Sequence, residues 1–551
     1  MISRLFSFHG GLKLDDHKDI SAATPIRPAP LSKRLIVPLH QGGRQPARVI
    51  VSVGQQVAKG ETIAVADGLF SSAVHAPSSG SVIDIGPYPV AHPSGLSADC
   101  VVIETDGEER WIEHQPFDLE HASREQALAW LRDCGVDGLG GAAFPSHVKL
   151  GRGSGVDTLI LNGAECEPWI TCDDRLMRER AADILSGARI LAQLLGAREL
   201  IVGIEDNKPE AIAAMRAAAA EIDASLRVQP VPALYPMGGE KQLIRTLTGK
   251  EIPFGKIGFD FGVQCFNVGT AYAVHRAIRH GEPLLSRIIT LTGNVAHAGN
   301  WEALIGTPLD ELLALAQPKV DTDRHLLGGP MMGFALPQLD VPLVKAGNCI
   351  IAASPRLLPA PPAELPCIRC TACASACPAE LQPFELYWFS RARNFDKARD
   401  YQLFDCIECG CCAYVCPSHI PLVDYFRFAK SEIRARDQEQ AAADQARDRF
   451  EFRNFRQERE KEEKAAKLAA KAAETRAKLA ADNAAKTNET ANETVADVSS
   501  NAAPAASPGA PADDARQALI AAALERARQR QTSATASSPA TAADEQPPAA
   551  S

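Results

Sequence analysis

The sequence lacks the long apolar run that a membrane-spanning helix requires. Nowhere in its 551 residues does an apolar stretch approach the length of about 18 residues that such a helix needs. The first residues, MISRLFSFHGG, contain one arginine and only a short apolar stretch before a glycine pair. That stretch is too short for a secretory signal peptide. We therefore expect a protein without its own membrane span that works in the cytoplasm, where thiols stay reduced.

An excess of basic charge is also missing. Lysine and arginine together number 58 against 68 aspartates and glutamates, which gives a net charge of −10. The basic residues are not concentrated in one segment, so no nucleic-acid-binding face is indicated and neither DNA nor RNA is an expected partner. With 46% hydrophobic residues, the chain is long enough and apolar enough to form several domains.

Cysteines, by contrast, are concentrated in two short windows. Nine of the 15 lie in CIRCTACASACP (367–378) and CIECGCCAYVCP (406–417). Both windows contain the run C-x2-C-x2-C-x3-C-P. A disulfide framework is typical of short secreted domains, so in this long chain the clustered cysteines indicate metal binding.

The spacing of these cysteines favours iron–sulfur clusters over zinc. Structural zinc commonly uses two separated C-x2-C pairs, whereas this run is typical of bacterial two-cluster ferredoxins, in which the fourth cysteine ligates the other cluster. Zinc, or plain buried thiols, is the alternative, and Cys411 is expected to be a spare thiol. We predict two [4Fe–4S] clusters, the first held by Cys367, Cys370, Cys373 and Cys416, and the second by Cys406, Cys409, Cys412 and Cys377.

The segment before about residue 106 is predicted to be a small all-β unit. Alternating runs such as Arg48–Val53 and Thr62–Val65 are separated by glycine turns. The segment resembles the barrel-sandwich hybrid domains that carry biotin or lipoate. The turn that would present the modified lysine, Asp67–Ser72, contains no lysine. We therefore expect a scaffold or docking module and not a swinging carrier arm.

From about Glu113 the pattern changes to α/β. Ala122–Cys134 and Arg175–Leu195 have helical spacing, whereas Asp157–Leu161 and Glu199–Ile204 have the pattern of short buried strands. Asn207 is expected to cap the next helix. This alternation predicts a largely parallel sheet with ligands near the ends of its strands.

A glycine-rich loop, GLGGAAFPSHVKLGRG (138–153), lies within this α/β segment. A helix precedes it and Phe144-Pro145 prevents a helix from starting directly after the glycines, so it does not fit the Rossmann dinucleotide fingerprint. Its few side chains let backbone N–H groups approach an anion or a flat ring. Lys149 adds a positive charge suited to a phosphate. A glycine-rich surface loop without a ligand is the alternative.

Three further segments come after the loop: LILNGAECEP (159–168), YPMGGEKQL (235–243) and FNVGTAYAV (266–274). Together with the loop they resemble the flavin- and NADH-binding subunit of respiratory complex I. With the β unit and the doubled cysteine run, the chain to about residue 435 resembles the family of C subunits of the Rnf/Rsx membrane-bound electron transport complex. The resemblance implies a peripheral subunit of an ion-translocating oxidoreductase on the cytoplasmic face of the cell inner membrane. That subunit would pass electrons from NADH through FMN and the clusters to membrane partner subunits.

The resemblance also implies roles for individual residues. Complex I has arginine, glutamate and aspartate where this chain has Leu139, Gly239 and Ala164. These departures leave open a second function, an electron-relay or scaffold subunit with a vestigial pocket. A soluble enzyme that passes electrons to a ferredoxin-like acceptor is a third. By position, the FMN residues are Gly138, Gly140, Lys149, Asn162, Glu165, Tyr235, Asn267 and Thr270, and the NADH residues are Phe144, Glu167, Glu240 and Phe254.

The predicted fold class is multidomain, with α/β and all-β parts. Residues 287–317 read as a strand pair and a helix and resemble the β-grasp domain of the same families, and the Ala-, Pro- and Ser-rich C-terminal end cannot build a core. The expected segments are an N-terminal arm (1–28), a barrel-sandwich hybrid β domain (29–106), a complex I flavoprotein-like FMN/NADH-binding domain (107–285), an SLBB-like β-grasp domain (286–346), a bacterial two-cluster ferredoxin-like domain (347–435), a charged Ala-rich helix (436–481) and a disordered tail (482–551).

Overall fold

The computed structural model describes residues 4–490, except 42–44, 142, 154 and 224–225, with side chains up to residue 484. Residues up to Asp444 form one compact unit, and a second unit begins at Gln445. Most of the predicted disordered tail, 482–551, therefore lies outside the described residues.

The first domain is all-β, as predicted. Its apolar core includes the fully buried Leu35, Ile63 and Val101. Its strands are β2 (Arg34–Pro38), β3 (Arg48–Val49), β4 (Gln56–Val57), β5 (Thr62–Val65), β6 (Val74–His75), β7 (Gly80–Pro89) and β8 (Ser97–Thr105), after a short helix α1 (Asp19–Ala22) and strand β1 (Arg27–Pro28). Two sheets, ordered β2-β8-β7-β4 and β3-β5-β6, enclose that core. The turn that lacks a lysine connects β5 to β6.

The second domain is the predicted α/β domain. Its elements are α2 (Arg124–Asp133), α3 (Ser146–Gly151), β9 (Thr158–Gly163), α4 (Cys172–Glu179), α5 (Ala181–Leu195), β10 (Glu199–Glu205), α6 (Pro209–Ile222), β11 (Arg227–Val231), α7 (Glu240–Thr248), a 3-10 turn (Gly258–Phe261), β12 (Val263–Asn267) and α8 (Val268–Arg279). The sheet order is β11-β10-β9-β12 and every pairing is parallel. The prediction of a parallel sheet is confirmed.

Two local predictions in this domain are wrong. The helical stretch 175–195 is broken at Arg180, whose φ of −131° and ψ of 32° are not helical, so α4 and α5 are separate. The helix α6 begins after Lys208 and has no side-chain cap. Asn207 instead donates a hydrogen bond to Asp16 at 2.9 Å, because the N-terminal arm lies beside this turn.

The third domain contains a six-stranded sheet and one helix. Its elements are β13 (Ser286–Gly293), β14 (Gly299–Leu304), α9 (Leu309–Ala316), β15 (Arg324–Leu327), β16 (Phe334–Ala335) and β17 (Cys349–Ala353). The sheet order is β1-β14-β13-β17-β15-β16. Because β17 lies inside this sheet, the predicted boundary after residue 346 cuts the domain and must move to beyond Ala353. Strand β1 of the predicted arm also belongs to this sheet.

The two cysteine runs lie in a small helical segment that ends in one long helix. Its elements are α10 (Ala372–Ala376), α11 (Pro383–Arg391), α12 (Phe395–Asp400), a 3-10 turn (Leu403–Asp405), α13 (Cys411–Tyr414) and α14 (Leu422–Thr490). The helix α14 begins 14 residues before the predicted start at 436, because Phe426 and Ile433 on its first turns are buried in the core of this segment. It also continues through 482–490, which the sequence assigns to the disordered tail. Among the helices that the structure describes, none is long and apolar enough to cross a membrane.

The N-terminal arm joins several of these segments. Phe6 donates a backbone hydrogen bond to Thr246, Gly11 donates one to Ala376, and Leu12 pairs with Tyr235 in both directions. The arm therefore contacts both the α/β domain and the first cysteine run.

Candidate electron-transfer site

Two asparagines lie side by side at the carboxyl edge of the parallel sheet. Asn162 is the last residue but one of β9, Asn267 is the last residue of β12, and the two are partners in the strand register. Asn162 donates to the Gly238 carbonyl at 2.9 Å. Asn267 caps α8 by accepting a hydrogen bond from the Gly269 N–H at 2.8 Å. Ligands of parallel sheets bind at this edge, so both amides are in the expected place for a flavin.

The glycine-rich loop lies directly over this edge. The Leu139 N–H donates to the Thr270 hydroxyl at 2.8 Å, and the Gly138 N–H donates to the Phe144 carbonyl at 2.8 Å. A Cβ on Gly140 would lie 3.3 Å from the Cβ of Asn267. The structure thus brings Gly138, Gly140, Asn267 and Thr270 together, and the missing side chain leaves room for a close approach to backbone.

Lys149 reaches the same edge from α3. Its ammonium donates to Glu240 Oε2 at 2.9 Å and to the Cys265 carbonyl at 2.5 Å. It also lies 5.1 Å from the centre of the Phe266 ring. The lysine side chain is partly exposed. Lys149, which is predicted to bind FMN, therefore forms an ion pair with Glu240, which is predicted to bind NADH.

Glu165 is a buried carboxylate that lies beside the partly buried carboxylate of Asp173. Glu165 accepts hydrogen bonds from the N–H groups of Asp173 at 2.8 Å and Asp174 at 3.2 Å, at the start of α4. Asn267 donates to Asp173 at 2.6 Å. Burial raises the pKa of Glu165 to about 7 and also raises the pKa of Asp173. Asp173 is not among the residues predicted from the sequence, although two successive acids at a helix start are a recognisable signal.

Tyr235 and Glu167 lie where the α/β domain meets the second cysteine run. The Tyr235 hydroxyl donates to the Cys409 carbonyl at 2.6 Å, and the residue is only 3% exposed. Glu167 accepts backbone hydrogen bonds from Met331 at 2.7 Å and Met332 at 2.9 Å. Burial raises the pKa of Glu167. These two predicted ligand residues therefore join the α/β domain to the cysteine run and to a turn of the third domain, GGPMMG (328–333).

The two predicted NADH phenylalanines contact different neighbours. Phe144 packs edge-on against Phe70 of the β domain, with ring centres 6.0 Å apart at an angle of 67°. Phe254 is 50% exposed. Its neighbour Gly255 donates to Asp405, at 2.9 Å to the nearer oxygen, just before the second cysteine run.

The eight cysteines divide into two sets around two cavities. Each set combines three cysteines of one run with the last cysteine of the other, as the spacing predicts. One cavity is lined by Cys367, Cys370, Cys373 and Cys416, and the other by Cys377, Cys406, Cys409 and Cys412.

The cysteine sulfurs are not gathered as closely as a single metal ion would require. Among the residues that the structure describes, no three cysteine sulfurs lie within 4.8 Å of one another. A tetrahedral zinc site with bonds of about 2.3 Å would place its sulfurs about 3.8 Å apart. These donor sets therefore fit [4Fe–4S] clusters, and the individual ligands stay a prediction.

Cys411 is buried beside the second set and lines neither cavity. A hydrogen bond between Cys411 and Cys409 lowers the pKa of the Cys409 thiol. The extra thiol is therefore in contact with a predicted ligand, which spacing alone does not reveal.

Contacts with the α/β domain and the arm gather around the second set. Gln242 donates to the Pro378 carbonyl at 3.0 Å, and Lys241 pairs with Asp405 at 2.8 Å. The His9 ring lies 3.0 Å from the Cys377 carbonyl. At the first set, by contrast, Cys370 is exposed and the neighbouring Ile368 is 68% exposed. The second set faces the α/β domain and the first set reaches the surface.

Four family models match successive parts of the chain. They are the RnfC barrel sandwich hybrid domain at residues 6–108, the Nuo51 FMN-binding domain at 131–276, the SLBB domain at 288–335 and a 4Fe-4S dicluster domain at 366–420. The fold and the matches thus define a multidomain protein that contains an FMN-binding domain and a 4Fe–4S dicluster domain.

Relatives named as the C subunit of an ion-translocating oxidoreductase complex are 50% identical to this chain over 84% of its length. The matched region covers 60% of the protein from Pseudomonas aeruginosa, 63% of that from Salmonella typhimurium and 69% of that from Salmonella gallinarum. The chain belongs to this family, the C subunits of ion-translocating oxidoreductase complexes. It spans less than two thirds of the length of the first two relatives.

A solved structure of an NAD+-reducing [NiFe]-hydrogenase in the air-oxidised state is a more distant match. It is 21% identical, with a TM-score of 0.40, and the match covers 50% of this chain and 54% of the hydrogenase chain.

Proposed function

We propose that this chain passes electrons from NADH through FMN and two [4Fe–4S] clusters to membrane partner subunits of an ion-translocating complex. The observation that carries the proposal is the hydrogen bond from Tyr235 to the Cys409 carbonyl. Through it, a residue that resembles a flavin ligand contacts the backbone of a predicted cluster ligand. The strand-end edge and the second cysteine set are therefore joined by one residue.

The number of electrons that each group transfers at a time explains why both a flavin and iron–sulfur clusters are needed. NADH delivers two electrons as a hydride, whereas a cubane cluster accepts one at a time, and a bound flavin would supply the conversion. The chain's own residues provide the binding surface. Gly140 leaves room above Asn267, Lys149 supplies positive charge, and the Asn162 amide lies at the same edge.

The position of the two cysteine sets suggests the direction of transfer. Electrons would enter at the second set, which contacts the α/β domain through Tyr235 and Gln242. They would leave from the first set, where Cys370 and Ile368 are exposed to a partner. We place the protein peripherally on the cytoplasmic face of the inner membrane, with a membrane subunit as the acceptor.

A second function is an electron relay with a vestigial flavin pocket. Lys149 is already paired with Glu240, so its positive charge has a partner within the protein. Gly239 and Ala164 also stand where complex I has acidic residues. Both observations favour this second function. Exposure of the first set also fits the third candidate, a soluble enzyme that reduces a ferredoxin-like acceptor.

Anaerobically prepared protein distinguishes these functions. We expect about eight iron and eight sulfide per chain, bound FMN, and NADH oxidation with an artificial electron acceptor. Intact clusters with no bound FMN and no NADH oxidation would favour the relay. Stoichiometric zinc without acid-labile sulfide would contradict every version of the proposal. Rapid reduction of a ferredoxin by the isolated chain would favour the soluble enzyme.

A further inference from the structure

The glycine-rich loop is held from behind by an arginine of the third domain. Arg287 lies on β13 and is only 5% exposed. Its guanidinium donates to the Leu139 carbonyl at 2.7 Å and to the Lys345 carbonyl at 2.8 Å. In the described part of the chain no carboxylate pairs with Arg287. A buried cation without an ion pair is costly, and it stabilises negative charge that binds nearby.

Lys345 holds the same loop at a second point. Its buried ammonium pairs with Asp137 at 2.8 Å and donates to the Gly135 carbonyl at 2.7 Å. Asp137 directly precedes the loop, and it also accepts a hydrogen bond from the Ser72 hydroxyl at 2.5 Å. The third domain therefore fixes both the start of the loop and the Leu139 carbonyl.

The bond from Arg287 fixes the direction of an N–H group in the loop. The two preceding N–H groups are already donated within the protein. Among the described residues, the Gly140 N–H has no acceptor. It shares a trans peptide with the Leu139 carbonyl, so it points away from Arg287. A Cβ on the next residue, Gly141, would meet no described atom within 4 Å, so the loop borders open space.

We infer that Arg287 is a positioning residue for the FMN site, because through the Leu139 carbonyl it directs and strengthens the Gly140 N–H as a donor to the flavin. The inference rests on the proposed function, since it requires FMN at the strand edge. Gly140 lies at that edge, where its Cβ would stand 3.3 Å from the Cβ of Asn267. A hydrogen bond to a carbonyl polarises the peptide, so the N–H of the same peptide becomes a stronger donor. The third domain would thus act on the flavin through the loop.

The buried guanidinium should also affect the reduction potential of the flavin. A flavin gains negative charge on reduction, and positive charge nearby stabilises the reduced form. Loss of the cation behind the loop should therefore weaken the binding of reduced FMN more than that of oxidised FMN. This difference separates a role at the site from a purely structural one, because a general loss of stability would affect both forms equally.

The test compares the wild-type full chain with Arg287→Met, which keeps an apolar side chain of similar length. FMN is removed and titrated back with the clusters in place, and its fluorescence reports binding. Oxidised FMN should bind about tenfold more weakly to Arg287→Met. Reduced FMN should lose a further factor of about ten, which lowers the two-electron midpoint potential of the bound flavin by about 30 mV. Arg287→Lys keeps the cation and should restore most of both values.

The matched control is Arg324→Met. Arg324 lies on β15 of the same sheet and also donates to a backbone carbonyl, that of Leu358, which is not part of the loop. Thermal unfolding measures the loss of stability in each variant. Iron content, FMN affinity and flavin potential should be unchanged in Arg324→Met. If Arg287→Met does not fold, Arg287→Gln, which keeps a neutral donor, should still lower the potential.

Two results would overturn the inference. The first is an FMN affinity and flavin potential in Arg287→Met equal to those of the wild type. The second is an equal change of both values in Arg287→Met and Arg324→Met. A wild-type chain that holds its clusters but binds no FMN would contradict the proposed function itself, and the inference with it.

Discussion

At the scale of the residue, Lys149 is the charge that we propose holds the FMN phosphate at the strand edge. Lys149→Ala should weaken FMN binding about tenfold, because a charge-assisted hydrogen bond is worth about 1.5 kcal/mol. Flavin per chain after gel filtration measures the effect, and iron content should not change. Lys397→Ala is the control, since the Lys397 side chain forms an exposed pair with Asp400 far from the strand edge in sequence. Equal flavin content in all three proteins would remove Lys149 from the site.

Cys411 is predicted to adjust the second cluster without ligating it. Its thiol is hydrogen-bonded to Cys409, and such a bond stabilises the more negative, reduced cluster. Cys411→Ala should lower the midpoint potential by about 40 mV, the equivalent of about 1 kcal/mol for one electron. Cys411→Ser keeps a donor and should change the potential less. Redox titration followed by EPR gives the values, and an unchanged potential in Cys411→Ala speaks against the hydrogen bond.

Some residue roles could be predicted from sequence and others could not. The two cysteine sets could be predicted because ligand spacing is a local property of the chain. The partners of Asn207 and Tyr235 could not, since Asp16 and Cys409 are 191 and 174 residues away in sequence. The pair of acids at the start of α4 is visible in the sequence, but the contact that brings Asp173 to the site, its hydrogen bond from Asn267 at the end of β12, is not.

At the scale of the element, the predictions of helices and strands failed where the pattern of apolar residues does not by itself distinguish one kind of element from another. Strand β17 is a short, fully buried run in which neither alternation nor helical spacing shows. The break between α4 and α5 lies in a continuous helical pattern. The strands of the parallel sheet were predictable because each is short, apolar and followed by a helix.

The N-terminal arm can be tested through Gly10. Gly10 has a φ of +67°, and a Cβ there would lie 2.6 Å from the Ala376 carbonyl oxygen, next to the predicted ligand Cys377. Gly10→Ala should therefore displace the arm and lower the free energy of unfolding by about 1–3 kcal/mol. Thermal unfolding of the cluster-loaded protein measures it.

Gly95→Ala is the matched control for this change. Gly95 has nearly the same φ, +65°, but a Cβ there would meet only Pro337 at ordinary contact distance, 3.5 Å. Gly95→Ala therefore has the energetic cost of a left-handed backbone conformation but not the steric clash with a carbonyl oxygen. Equal losses of stability in the two variants would show that the contact between the arm and the cysteine run contributes nothing.

At the scale of the whole molecule, the domains converge on the α/β domain. The β domain contacts the glycine-rich loop through Ser72, the third domain contacts Glu167 through Met331, and the cysteine segment contacts Tyr235 through Cys409. The sequence predicts the fold class of each domain. It does not predict these contacts, because they depend on how separate cores pack.

The predicted exchange of one cysteine between the two runs would link both clusters into a single folded segment. The second cavity holds Cys377 with Cys409, and the first holds Cys370 with Cys416. Cys377→Ala should therefore alter the same EPR signal as Cys409→Ala, and Cys416→Ala the same signal as Cys370→Ala. The reason is geometric, because the three residues after Cys373 and the proline at 378 carry the chain from one cluster to the other. Spectra of the dithionite-reduced variants, compared signal by signal, decide the matter. If Cys377→Ala and Cys370→Ala remove one signal while Cys409→Ala removes the other, each run ligates its own cluster and the exchange is wrong.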